Sequence, residues 1–226
     1  MENKENITII IKKQGRELIH KKASSCIFVG LYQGDERTIF QTGMYGFMTA
    51  SSVHSGIASI VNNIVFEANY PKETVQDKLI FANTLFAAIE NHAILTFQDS
   101  AYTGDLTTKH GSFELTIMDK EGISLQSNFD SFFLAMMDDV EEELSVEVVW
   151  MSSNLTENEV VRSISLMIKS FVHQIMKLKN TDKLHEQLKL VQEVMSDVKW
   201  KFLEVFYDRI ENPKENDNQN KKENLG

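Results

Sequence analysis

Apolar residues along this chain repeat with two different periods, and the switches between them mark out the elements. The run ITIIIKK, Ile7 to Lys13, predicts a first strand. CIFVGLY (26–32) and RTIFQTG (37–43) predict a β-hairpin, because the QGDE between them carries turn chemistry at Gly34 and Asp35. From about Met48 to Ala68 the period lengthens, and Val53, Ile57, Ile60, Val61, Ile64 and Ala68 fall on one arc of a helix. Pro71 suits the first turn of a second helix, Glu73 suits its dipole, and Val75, Leu79, Ala82, Phe86 and Ile89 recur at threes and fours.

A polar stretch from Gln98 to Gly111 predicts a long loop. FELTIMDKEGISLQS then alternates on either side of Asp119–Gly122, the pattern of a second hairpin. Ser127 and Asp130 have capping-box spacing. They precede Phe132, Phe133, Met136, Met137, Val140 and Leu144, which with Phe129 read as the core-facing stripe of a helix. SVEVVWM returns to a strand. Thr156 and Glu159 form another capping box, opening a helix over about 157–179 with Val161, Ile164, Ile168, Phe171, Ile175 and Leu178 on its seam.

After KNTD a last helix carries Leu184, Leu188, Val191, Met195, Val198, Phe202 and Val205. The short connection predicts an antiparallel helical hairpin of coiled-coil type. Trp200, Leu203, Phe206, Tyr207 and Ile210 give its second helix an extra apolar face, which predicts docking onto the body or another subunit.

The expected fold is α+β: an antiparallel sheet built from two β-hairpin–helix units with helices packed on it, followed by the helical hairpin. Residues 7–152 form the α+β domain and 153–211 the hairpin. The polar segments 1–6 and 212–226 read as disordered tails, with Pro213 closing the last helix. Strand, turn, strand, helix occurs twice, a topological repeat with slight residue identity.

Charge narrows the function. A net charge of −10 over 226 residues disfavours general binding to nucleic acid or anionic membranes. The locally basic IKKQGRELIHKK reads as a strand flanked by solvating lysines. The single cysteine, Cys26, excludes a disulfide framework and a Cys-rich zinc site, and its apolar run predicts a buried thiol. His20, His92, His110, His173 and His185 show no metal-ligand spacing, so neither metal nor cofactor is expected. No signal peptide is apparent. Phe47–Phe66, the one stretch resembling a membrane span, is interrupted by His54, Asn62, Asn63 and serines, so a cytoplasmic location without membrane insertion is expected.

One interval departs from the average. From Thr38 through Phe66 no residue is charged, although a quarter of the chain is. A helix face of Ser55, Gly56 and Ser59 has poor intrinsic propensity and lets another backbone approach closely, which predicts cover on both sides. Together with Trp200 and Tyr207 these residues are expected at close-packed contacts or interfaces. The competing reading is a ligand site for a phosphate or nucleotide at a loop–helix junction, using Gly43, Gly46, Ser51, Ser52 and His54. It has no nearby lysine and neither the GxGxxG nor the Walker spacing. A Ser–His hydrolase is disfavoured because no GxSxG elbow is present.

The acidic run containing Asp138, Asp139, Glu142 and Glu143 reads as a solvated helix end; the alternatives are docking of a basic protein or a divalent cation, the latter disfavoured because no DxDxDG-type loop is present. The sequence thus points to a non-catalytic interaction or regulatory protein acting as a homo-oligomer through protein–protein contacts. The alternative is a small-ligand sensor or enzyme at the Gly43–His54 junction.

Overall fold

A computed structural model describes residues 6–33, 38–67, 74–98, 111–140, 143–152 and 155–212. Eight strands and four helices follow in the order ββββαα twice. They are β1 (Ile7–Lys13), β2 (Arg16–Ala23), β3 (Ser25–Gln33), β4 (Thr38–Gly46), α1 (Ala50–Glu67), α2 (Val75–Gln98), β5 (Phe113–Asp119), β6 (Gly122–Phe129), β7 (Ser131–Val140), β8 (Glu143–Met151), α3 (Glu157–Leu178) and α4 (Leu184–Glu211). The strands form two antiparallel four-stranded sheets, ordered β2-β1-β5-β6 and β4-β3-β7-β8. The fold is α+β.

Each sheet takes one hairpin from each half of the chain, and the registers show how regular the duplication is. In the first sheet Ile10 lies opposite Thr116, and in the second Phe28 lies opposite Leu134, both pairs 106 positions apart. A pseudo-twofold axis therefore passes through both pairs. Ser24 alone links β2 to β3, and Asp130 alone links β6 to β7. Each donates its backbone N–H across the axis, Ser24 to the carbonyl of Met137 at 3.1 Å and Asp130 to that of Leu31 at 2.9 Å. The register shift between Ile11 and Lys12 recurs between Ile117 and Met118, so even the β-bulge is duplicated.

Two cores follow from this arrangement. Between the sheets, Ile7, Ile9, Ile11, Leu115 and Ile117 meet Phe28, Phe132, Leu134 and Met136. Phe129 packs there over Gly30, where an added Cβ would stand 2.1 Å from its ring. On the other face of the second sheet, Ile27, Val29, Phe133, Ala135 and Met137 receive the helices. α1 lies on β7 and β8, and α3 on β3 and β4, so each half's first helix covers the other half's strands. α2 and α4 form an outer layer, α2 packed mainly on α3 and α4 mainly on α1.

Several sequence expectations need correction. The stripe from Phe129 to Leu144 is not a helix; it starts at the end of β6 and continues through β7 to β8. Residues 131–137 are buried on both faces of the sheet, and a continuous apolar run satisfies helical spacing as readily as strand spacing. Ser127 and Asp130 consequently cap nothing: Ser127 Oγ lies 2.6 Å from the Tyr32 hydroxyl, and Asp130 Oδ2 accepts from the Gln33 backbone N–H at 2.8 Å. The acidic run is likewise not a helix end, since Asp138 and Asp139 belong to β7 and Glu143 to β8. IKKQGRELIHKK is a complete hairpin, turning at Gln14 and Gly15, which both have positive φ. The expected turn at Gly34 and Asp35, Pro71 and Glu73, most of the 98–111 loop, Pro213 and nearly all of both tails lie outside the described residues.

α3 and α4 follow one another as expected, but their larger contacts are with α2 and α1 rather than with each other. Most of their apolar seams are therefore spent on the common core, although Leu178 and Leu184 are exposed, and a coiled-coil pairing is not what organises them.

Three of the four helices start with a single device, whereas Lys183, the N-cap of α4, makes no side-chain cap. At α3 the Thr156 Oγ1 accepts from the Glu159 backbone N–H at 3.3 Å, while Glu159 Oε2 accepts from the Thr156 backbone N–H at 3.0 Å. Glu159 Oε1 also accepts from Thr38 Oγ1 at 2.9 Å, tying the cap to β4. Burial would raise the Glu159 carboxyl, but hydrogen bonds from Thr156, Thr38 and Gln33 outweigh it and hold the group below its ordinary value. At α1, Thr49 and Ser52 make the same reciprocal pair, and at α2 Thr74 and Asp77 do. Glu159→Ala is expected to cost about 1–3 kcal/mol in urea unfolding, and Glu159→Gln less, because glutamine retains the cap.

Candidate functional site

α1 is the most enclosed helix of the fold. Residues 52–62 are all buried, with the second sheet on one side and α4 on the other. Gly56 sits where a Cβ would stand 3.2 Å from Ile27 Cγ2 and from Met137 Sδ, so the helix rides close on β3 and β7. Ser55 and Ser59 are buried as well. α4 runs alongside: Arg209 Nη1 donates to Asn63 Oδ1 at 3.1 Å and to Asn62 Oδ1 at 3.5 Å, and Phe206 meets Phe66.

At the start of α1 this packing leaves a shallow cleft of about 230 Å³, lined by Ala50, Ser51 and His54 from α1 and Asp197, Trp200 and Lys201 from α4. His54 Nδ1 stands 3.3 Å from Asp197 Oδ2; the histidine side chain is 8% exposed and the aspartate's 63%. The other ring nitrogen, Nε2, is buried without a hydrogen-bond partner, and the edge of the ring system packs against Phe171 of α3. A neutral imidazole carrying its proton on Nδ1 satisfies this geometry. Burial pushes the His54 pKa down; Asp197 opposes that and Lys201 reinforces it. His92 on α2 is shifted in the same direction, by burial and by the charge of Arg162.

The ligand-site residues suggested by the sequence divide among three places. Ser51 and His54 line the cleft. Ser52 is committed to the cap, its Oγ donating to the Thr49 carbonyl at 2.8 Å. Gly43 and Gly46 pair within the sheet, opposite Phe28 and Ser25, rather than forming an open anion loop. Gly46 has φ +82°, and a Cβ there would meet the Ser24 carbonyl oxygen at 2.3 Å, so its glycine is required by the turn from β4 into α1.

Of the interface residues, Ser55, Gly56 and Ser59 are internal to the chain, whereas Trp200 (65% exposed) and Tyr207 (49%) lie on the outer face of α4. The C-terminal half of that helix docks through Val198, Phe202 and Phe206. Trp200 Nε1 donates to Glu204 Oε1 at 2.8 Å, and Lys201 Nζ to Glu204 Oε2 at 2.8 Å. In the acidic run, Asp138 Oδ1 accepts from the Ser24 backbone N–H at 2.7 Å; Glu142 and the side chains of Asp139 and Glu143 lie outside the described residues.

As chemistry, this arrangement is spare. His54 resembles the oriented base of a catalytic pair through its contact with Asp197, but its free nitrogen faces the interior and no hydroxyl hydrogen-bonds to it. Among the described residues no group of three or more His, Cys, Asp or Glu side chains could hold a metal ion. Burial drives the Cys26 thiol far above its ordinary pKa, which makes it inert. Asp197 and Lys201 were not singled out by sequence, because nothing in the chain order signals that α4 returns beside the start of α1.

No protein-family model, no curated protein and no solved structure matches this chain.

Two outcomes are expected. Ser55→Lys places a charged side chain between α1 and its neighbours and should lower stability by about 2 kcal/mol or more in urea unfolding. Folded His54 takes up its proton less readily than the unfolded chain, so stability present at neutral pH is lost as pH falls through the ordinary histidine range near 6.5. His54→Gln should flatten that acid-side slope in unfolding curves collected at several pH values, leaving the part due to His92.

Proposed function

We infer that the protein is a non-catalytic interaction protein, regulatory in character, that acts as a homo-oligomer through protein–protein contacts. The observation that carries this reading is the outer helical layer. Val75, Ile80 and Leu95 on α2, and Trp200 and Tyr207 on α4, are large apolar side chains left more than two-fifths exposed. Side chains of this size on a neighbouring pair of helices are characteristic of contact surfaces, and Trp and Tyr are the residues most often found at their energetic centres. α2 is also long and apolar enough to cross a membrane by length and composition, but it packs on α3 and α4 through Ala82, Leu85, Phe86, Ile89 and Ala93.

A second reading rests on the cleft, where Ser51 and His54 meet Asp197, Trp200 and Lys201. It takes a small polar ligand with a flat face to lie on the indole. A thermal-shift panel of nucleotides and phosphorylated metabolites tests it: a bound ligand raises the melting temperature, and Trp200→Ala should remove the shift.

The oligomer reading is tested by light scattering on the full-length chain over a dilution series. The expected mass exceeds the 25.9 kDa of one chain and rises with concentration; a constant 25.9 kDa throughout would refute it.

A further inference from the structure

The pseudo-twofold supplies an internal comparison that isolates one surface. α2 and α4 are equivalent elements, and each buried position of α2 has a buried counterpart on α4 at a spacing of 109 residues: Ala82 with Val191, Leu85 with Val194, Phe86 with Met195, Ile89 with Val198 and Ala93 with Phe202. Their outward faces can therefore be compared position by position. On α4 the outward line is Lys189, Glu193, Ser196, Trp200 and Glu204. Lys189 pairs with Glu193 at 3.6 Å, and Glu204 holds Trp200 and Lys201, so charged side chains occupy three of its five positions. On α2 the same line is Ile80, Thr84, Ala87, Asn91 and Leu95. All five are exposed and none is charged, in a chain whose net charge is −10.

This line reads alike from both ends. Large aliphatic side chains close it at Ile80 and Leu95, polar residues stand inside them at Thr84 and Asn91, and Ala87 with the partly buried Ala88 occupies the middle. Turned end for end onto itself, it places Ile80 against Leu95, Thr84 against Asn91, and alanine against alanine where the two helices come closest. The 15 rises from Ile80 to Leu95 span about 22 Å.

We propose that the outward face of α2 is a self-association surface, which receives α2 of a second copy of this chain antiparallel across a twofold axis at Ala87 and Ala88. The proposal rests on the homo-oligomer reading and gives it a surface and an orientation. A neutral strip lets two strongly acidic molecules meet without opposing charges, and the small central residues allow close approach. The polar residues inside the line, and the absence of flanking basic side chains on the exposed turns from Ile80 to Leu95, fit a protein surface better than a lipid one. One helix against another over four turns covers less than the roughly 800 Å² per partner of a standard interface, so the association belongs to the weak, reversible class.

Single-cysteine variants of the full-length chain test the geometry, because native Cys26 is fully buried and does not compete. With a short bis-maleimide, Ala87→Cys should crosslink to itself. Ile80→Cys and Leu95→Cys should each fail alone but crosslink when mixed. Ala87→Glu should raise the dimer dissociation constant at least tenfold with an unchanged circular dichroism spectrum, whereas Ser196→Glu, the equivalent change on α4, should leave it unaltered. Self-crosslinking of Ile80→Cys as efficient as that of Ala87→Cys would overturn the antiparallel arrangement. Association that survives Ala87→Glu would overturn the surface and leave the oligomer reading standing, while a wild-type chain that stays monomeric would end both. Binding of monomers to phosphatidylcholine vesicles, abolished by Ile80→Lys with Leu95→Lys, would assign the face to lipid and overturn the proposal.

Discussion

The pairing of β1 with β5 and of β3 with β7 is the constraint on which the rest of the molecule depends. Neither half of the chain owns a complete sheet; each contributes a hairpin to both, and the joining strands lie at the centre. This puts β3 and β7, the most apolar strands, where both faces are covered, and leaves the more polar β2 and β6 at the edges of the first sheet. The helices repeat the exchange, since α1 covers strands of the second half and α3 strands of the first. Separating the halves would expose the central edges of both sheets and the helix-bearing faces together.

Within this symmetric frame the differences between the halves carry the individuality of the protein. His54 corresponds to Val161 on α3, and Trp200 corresponds to Asn91 on α2. The cleft with the His54–Asp197 contact therefore forms at one end only, while the uncharged outer line forms only on α2. Selection for folding alone would leave equivalent positions free to drift in either direction. What draws notice is that one helix of an equivalent pair carries charges along its outward line and the other carries none.

Much of this was legible in the sequence, for identifiable reasons. Thr156 and Glu159 announce the start of α3 because a capping box is local, and the seams of α3 and α4 are plain because those helices bury one face. The uncharged interval from Thr38 to Phe66 signalled the enclosure of α1 over residues 52–62, whereas β4 is only half-buried and Phe47 is exposed. β7 misled because a strand buried on both sides has no period of two to display. The recurring strand, turn, strand, helix read from the sequence matched β3, β4 and α1 with β5, β6 and a helix that is in fact β7, whereas the true repeat matches β1–β4 with β5–β8. What the halves share is register, down to a bulge at the same place, and register leaves almost no trace in residue identity. The partners of His54 were invisible because Asp197 lies 143 positions away and its role is set by how α4 lies beside α1.

The single-residue crossings at Ser24 and Asp130 bear on how such a chain is made. As it leaves the ribosome, the first half can close its own hairpins and helices but has no β5 or β7 to cover β1 and β3. The polypeptide must then wait, with two apolar strand edges bare, until more than 130 residues have emerged. Contacts so distant in sequence slow folding and favour pairing with the wrong strand. A newly made chain of this kind is a natural client for chaperones that shield open sheet edges during synthesis.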